Sequence, residues 1–260
     1  MLIINQLISA LCITLSLCIK LTLEQYLSQQ EYHVPRGTYF SIICNTTDLL
    51  RLEPRSGPTD AGIGYSLLPV DDAELPVGWS FLVTNSQTQV IITGLQEDPD
   101  LNFTELELAR TDLESSETYK SLITLTYYGS DVSTGVDSNE LLELRFSFNN
   151  ISLEDFLLRG LQANVETLLR EVVWPNSRLV QVERFGEKNV AIYARNEATT
   201  RNKATLDMLR MEVNLATRNG TQLKLCQSKR SKALSIEHYF RALGLFPNWC
   251  SLKTRHLRGT

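Results

Sequence analysis

The twenty residues LPVGWSFLVTNSQTQVIITG, Leu75 to Gly94, set one tryptophan between a glycine and an apolar run, then interrupt a pair of β-rich runs with a polar TNSQTQ segment. Val, Ile, Phe and Thr suit the pleated, half-buried surface of a sheet, and a polar break between two such runs predicts two strands joined by a turn. Trp79 stands at the entry of the first strand. With Gly78 before it and Phe81 after it, it is expected to fill the space between two sheets rather than to offer a stacking platform to a ligand.

The same signal extends outward. TYFSIIC, GIGYSLL, GWSFLV, QVIITG, TELELA, YKSLITLTYY and LLELRFSF follow one another between Thr38 and Phe148, separated by turn-forming clusters such as PRSGPTDAG, QEDPD and GSDVSTGVDSNE. Short strands with hardly any helical periodicity between them imply a β-sandwich. TELELA alternates as a half-buried strand does, and LITLTYY is expected to be covered on one face with Thr124 and Thr126 on the other.

After Asn150 the period changes. Ser152 can cap a helix with Asp155 three residues on, and Leu157, Leu161, Val165, Leu168 and Val172 repeat at helical spacing until Pro175. RLVQVERF and NVAIYAR, joined by GEK, read as a hairpin. NKATLDMLRMEV and SIEHYFRALG read as further helices, the second running from Ser235 to Gly244. Strand, helix, hairpin and helix suggest a small α+β domain of ferredoxin-like type. The expected division is 1–18 as a signal peptide, 19–149 as the β-sandwich and 150–260 as the α+β domain, each domain with its own core. Trp174 is expected to close the helix onto the sheet, and Trp249 to pack on a disulfide.

The secretory reading rests on MLIINQLISALCITLSLCIK, an apolar run with Ser16 and Cys18 placed for cleavage before Ile19. An uncleaved signal anchor is the alternative. Four Asn-x-Ser/Thr sequons, at Asn45, Asn102, Asn150 and Asn219, fit export and would carry glycans on solvated surface. With Cys12 and Cys18 in the signal, three cysteines remain in an oxidising compartment. Cys226 and Cys250 are expected to pair, a bridge worth roughly 3 kcal/mol in the chain-entropy picture, with Cys44 buried and free or paired with another chain. A net charge of −5 argues against nucleic acid or an anionic membrane surface as the main partner.

Chemistry-bearing patterns are scarce. His33, His238 and His256 show no metal-ligand spacing, and there is no G-x-S-x-G, phosphate loop, dinucleotide fingerprint or C-x-x-C. The carboxylates of DDAE, Asp71 to Glu74, and EDPD, Glu97 to Asp100, read as solvated turns with at most weak affinity for calcium. No catalytic residue, cofactor or metal is expected.

Leu75, Pro76, Trp79 and Gly94 resemble the pattern of the cadherin-like module found in dystroglycan and in alpha- and epsilon-sarcoglycan, where Leu-Pro-x-Trp leads into two strands split by a turn and a glycine. One extra residue precedes the tryptophan here. SLITLTYYG resembles the module's penultimate strand and LLELRFSF its last. DFLLRGLQANVETLLREVVWP through NVAIYAR resembles the second ectodomain region of alpha- and epsilon-sarcoglycan, and FPNWCSL their closing Trp-Cys. The resemblance implies a non-enzymatic subunit of the dystrophin-associated glycoprotein complex. Its partners would be other sarcoglycan subunits and dystroglycan, at the extracellular face of the plasma membrane. Those sarcoglycans carry a spanning helix after the Trp-Cys motif, whereas this sequence stops about ten residues past Cys250. The alternative is therefore a free secreted binding or decoy module. A longer form of the chain with a span of ~20 apolar residues would favour the anchored subunit.

Overall fold

The computed structural model describes residues 28–50, 62–70, 74–98, 100–113, 115–129, 141–196, 217–218, 222–223 and 237–257. These are mostly β. In chain order the elements are β1 (Gln29–Pro35), β2 (Tyr39–Asn45), α1 (Thr46–Leu50), β3 (Ile63–Pro69), β4 (Ser80–Val83), β5 (Gln89–Leu95), β6 (Phe103–Asp112), β7 (Thr118–Tyr128) and β8 (Leu141–Asn149). There follow α2 (Leu153–Leu158), α3 (Leu161–Leu168), a π-helical turn (Leu169–Val173), β9 (Ser177–Gly186), β10 (Asn189–Asn196), β11 (Thr217–Arg218), β12 (Gln222–Leu223), α4 (Glu237–Ala242) and β13 (Phe246–Leu257).

Two sheets face each other in the first half, with strand orders β1-β7-β6-β3 and β2-β5-β4. β1 runs parallel to β7, and the other pairs are antiparallel. Between them lies a core of Val34, Phe40, Ile42, Cys44, Leu67, Trp79, Val90, Ile92, Leu106, Leu108, Ile123, Leu125 and Tyr127. Alternation places these residues inward, and Thr124 and Thr126 of β7 fall on the outer face as expected. β1 was not legible. QQEYHVP is polar at every second position and lacks a turn signal that would set it off from the preceding segment.

The third sheet has the order β13-β8-β10-β9 and is antiparallel throughout. This corrects two expectations. LLELRFSF, expected as the sandwich's last strand, is β8 at the centre of this sheet, so a division at Asn149 cuts the sheet after its first strand. The polar C-terminal segment contributes a long edge strand, β13. Leu144, Phe146 and Phe148 of β8 alternate onto the face that α2, α3, the π turn and α4 cover. Those four helical elements all lie on that one side.

The helical run departs from a regular repeat for a physical reason. The buried residues are Leu157, Leu161, Val165, Leu169 and Val173, spaced by four throughout, so Leu168 and Val172 sit off the buried stripe. A 3.6-residue turn cannot hold a four-residue repeat in line. The chain breaks at Gly160, left-handed at φ 63°, and widens to a π turn closed by Trp174 N–H to Leu169 O at 2.6 Å. Ser152 caps α2 as expected: its Oγ accepts from the Asp155 N–H at 3.0 Å and donates to Asp155 Oδ2 at 2.7 Å.

The two cores are not separate. Tyr39, Ile91 and Leu95 point out of the sandwich into the second core, with Leu82 packed beside them. β5 is thus buried on both faces from Val90 to Leu95, and its sheet forms a middle layer against α3 and β9.

Candidate functional site

The residues of the opening stretch interlock. Pro76 C=O accepts from the Trp79 N–H at 3.0 Å across a turn in which Gly78 has φ 83°. This swings the indole inward over β5, where a Cβ on Gly94 would lie 2.6 Å from the ring. Trp79 Nε1–H donates to Leu95 O at 3.0 Å, and the ring meets Phe40 edge-on at 5.0 Å. With 7% of its surface exposed, Trp79 is a core residue as expected.

A polar clamp crosses the junction between the sandwich and the third sheet. Glu97, just past β5, accepts from Arg178 of β9 and, at 3.1 Å, from Arg195 of β10. Arg178 Nη1–H also reaches Gly37 O at 3.4 Å, and Glu154 of α2 accepts from the Asn85 N–H at 3.1 Å.

On the helix-free face of the third sheet, Arg145 Nε–H donates to the Tyr193 hydroxyl oxygen at 2.8 Å, and both Tyr193 and Arg145 donate to Glu183. Tyr193 stands directly across from Arg145 in register. The guanidinium lies 4.7 Å from the exposed Phe185 ring. Burial, and then donation to Glu183, push the Tyr193 phenol above its ordinary range. Beside it Ser251, in the β13 bulge, accepts from the Ser147 N–H at 2.8 Å. The alternation of LLELRFSF and NVAIYAR was the one signal for this cluster, which reading along the chain missed.

Cys44 is free and buried, and burial pushes its thiol up to about 11. Cys250 is disulfide-bonded, while Cys226 lies outside the described residues. Trp249 stacks on Phe146 at 5.1 Å and meets Phe240 edge-on at 6.0 Å, so its ring belongs to the second core, while its neighbour Cys250 is exposed. Trp174 is fully buried in the second core. Asn45, Asn102 and Asn150 are exposed. Asn219, the signal segment 1–18, most of DDAE and the helix expected over NKATLDMLRMEV lie outside the described residues.

His33 of β1 and His238 of α4 are exposed, and His256 falls in β13. Among the described residues no group of three or more His, Cys, Asp or Glu side chains converges on a point. No described helix is long and apolar enough to cross a membrane. The described residues form a sandwich joined to a helix-covered sheet, with an aromatic and arginine cluster on one sheet face.

No family model and no curated protein sequence matches the chain. Among solved structures, an endo-fucoidan hydrolase from glycoside hydrolase family 107 aligns at a TM-score of 0.26 and 10% identity, over 67% of this chain and 29% of that one. At that score the likeness carries no argument about fold or activity.

Proposed function

We propose that the chain is a non-enzymatic, exported structural subunit of sarcoglycan type, working through surface complementarity. The observation that carries the reading is the Trp79 unit. Pro76, Trp79 and Gly94, residues on which the sequence resemblance rests, meet in one turn-and-ring contact, so their pattern has a packing reason. The facing sheets support a cadherin-like sandwich. The third sheet, whose own four strands taken in chain order lie in the order 4-1-3-2 under helices on one face, supports a ferredoxin-like second unit. On this reading the Cys226–Cys250 bridge ties down the region before β13, and the sequons are occupied.

The partners are other sarcoglycan subunits and dystroglycan, bound by burial of about 1,000 Å² or more of a patch with a polar rim. The test is co-expression of the tagged full-length chain with those subunits, followed by purification from membranes in mild detergent. Joint recovery in fixed proportion is expected. Recovery from medium alone, with none of those subunits bound, would overturn the reading in favour of a free secreted binding module.

A further inference from the structure

In the sandwich β2-β5-β4 is the middle layer, which leaves the outer face of β1-β7-β6-β3 open among the described residues. Four large apolar side chains stand in water on that face: Leu68 is 45% exposed, Val70 43%, and Phe103 and Tyr128 55% each. They form a diagonal stripe. Leu68 and Val70 lie two residues apart on β3, and the Val70 N–H donates to Glu105 O at 2.9 Å, two residues along β6 from Phe103. Phe103 pairs with Thr126, and Tyr128 is two residues on along β7. Each diagonal step from strand to strand spans about 7 to 8 Å. Carboxylates are set into the stripe. Glu107 lies across from Leu68 and pairs with Lys120 at 2.9 Å, and Glu31 of β1 accepts from the Thr126 hydroxyl at 2.7 Å. Between them the Glu105 side chain makes no hydrogen bond or ion pair with a described residue, and Thr124 Oγ1, directly across from it, has no hydrogen-bond partner.

We infer that this face docks a different protein chain, whose surface carries an apolar centre with lysine or arginine beside it. The inference rests on the structural-subunit reading and names the surface that such a subunit would use. A contiguous apolar stripe left in water marks an interaction site. An open sheet face has the shape of a protein contact and not of the concave pockets that hold small ligands. Its charge selects the occupant. Glu31, Glu105 and Glu107 stand against Lys120 and the exposed His33, so the face is acidic on balance. A second copy meeting it with the same face would set carboxylate against carboxylate, whereas a cation brought over Glu105 meets a carboxylate with no other partner. Phe103, at the middle of the stripe and beside Glu105, is the anchor: the partner's apolar atoms expel water from its ring, and the cation pairs at the rim.

The experiment uses the tagged full-length chain, co-expressed with sarcoglycan subunits and dystroglycan and purified from membranes in mild detergent. It is made as the wild type, Phe103→Ala, Glu105→Lys and Lys253→Glu. The first two changes lie on the stripe, and Phe103→Ala keeps the sequon. Lys253, exposed on the third sheet, is the control. Thermal melting checks that each variant folds; Phe103→Leu and Glu105→Gln stand in for one that does not. Phe103→Ala and Glu105→Lys are each expected to lower the amount of subunit recovered per chain by about tenfold or more, and Lys253→Glu to leave it unchanged. Raising the salt to about 0.5 M should lower wild-type recovery several-fold. Folded Phe103→Ala and Glu105→Lys chains that recover the subunits as the wild type does would overturn the inference and leave the subunit reading standing. Loss in Lys253→Glu alone would overturn it in favour of the third sheet. Self-association of the purified wild type that Phe103→Ala abolishes would overturn it in favour of a second copy. A wild type that recovers no subunit would take the subunit reading down, and the inference with it.

Discussion

At the residue scale, the Trp79 and Gly94 pair explains why the opening stretch is written as it is. A Cβ at position 94 would fall 2.6 Å from the indole Cγ and Cδ1, a separation that real contacts do not reach. Gly94→Ala should therefore force the ring off its hydrogen bond to Leu95 and cost about 1 to 3 kcal/mol of overpacking. Trp79→Ala should cost about 3 to 5 kcal/mol. Denaturant unfolding checks both, and an unchanged Gly94→Ala midpoint would mean that the ring has another place to go. Cys44 makes a prediction of different kind. Its thiol titrates near 9.0 in the open chain and at about 11 in the folded one, because burial disfavours the thiolate. The folded state holds that proton more tightly, so the stabilisation is complete below pH 9 and is lost as pH rises through 11. Between those limits the wild type should lose stability more steeply than Cys44→Ala. At pH 8 iodoacetamide should label Cys44 only after unfolding; rapid labelling of the native chain would contradict the burial.

At the scale of elements, the helical segment shows how a local rule is bent by packing. Ser152→Ala removes the cap on the Asp155 N–H and should cost about 1 kcal/mol, while Ser152→Thr, which keeps cap and sequon alike, should cost less. Gly160→Ala puts a side chain where φ is 63°, and should cost about 1 to 2 kcal/mol although its Cβ would meet nothing within 4 Å. If that variant melts with the wild type, the break between α2 and α3 is not set by backbone strain. The same segment marks what the sequence could convey. Ser152, Asp155 and the apolar repeat announced a helix, because capping and periodicity are local. The shift from Leu168 and Val172 to Leu169 and Val173 was not legible, because it answers to where the sheet lies. LLELRFSF was legible as a strand for its aromatic and aliphatic alternation, yet nothing in it said which sheet it joins. That depends on β13, whose polar sequence makes an edge strand paired along one side only. QVIITG carried an unused signal: an unbroken apolar run of that length suits a strand buried on both faces, as β5 proves to be. For the candidate site, the inward role of Trp79 could be read from its neighbours. The Arg145, Tyr193 and Glu183 cluster could not, because its members are brought together by pairing across strands.

For the whole molecule, the middle sheet decides how the sandwich and the helix-covered sheet respond to stress. Val90 and Ile92 of β5 face the sandwich core, while Ile91 and Leu95 face the second core together with Tyr39. Separating the two halves would expose Tyr39, Ile91 and Leu95 to water at once, at a cost of roughly 1.5 to 3 kcal/mol for each fully exposed side chain. The Glu97 clamp to Arg178 and Arg195 adds little by comparison, since Glu97 is 45% exposed and such pairs contribute about 0 to 1 kcal/mol. The junction is thus held by apolar burial, and the ion pairs fix its orientation. Ile91→Ala should cost about 2 to 5 kcal/mol and should speed hydrogen exchange in β7 and in β8 together, although β8 is in a different sheet. Glu97→Gln should change stability by less than about 1 kcal/mol, and its effect should shrink further at high salt. Exchange that rises around β5 and the second core while β7 keeps its protection would show that the sandwich stands by itself. In that case the middle sheet would be a contact between two independent domains, and the unfolding of the chain would resolve into two steps.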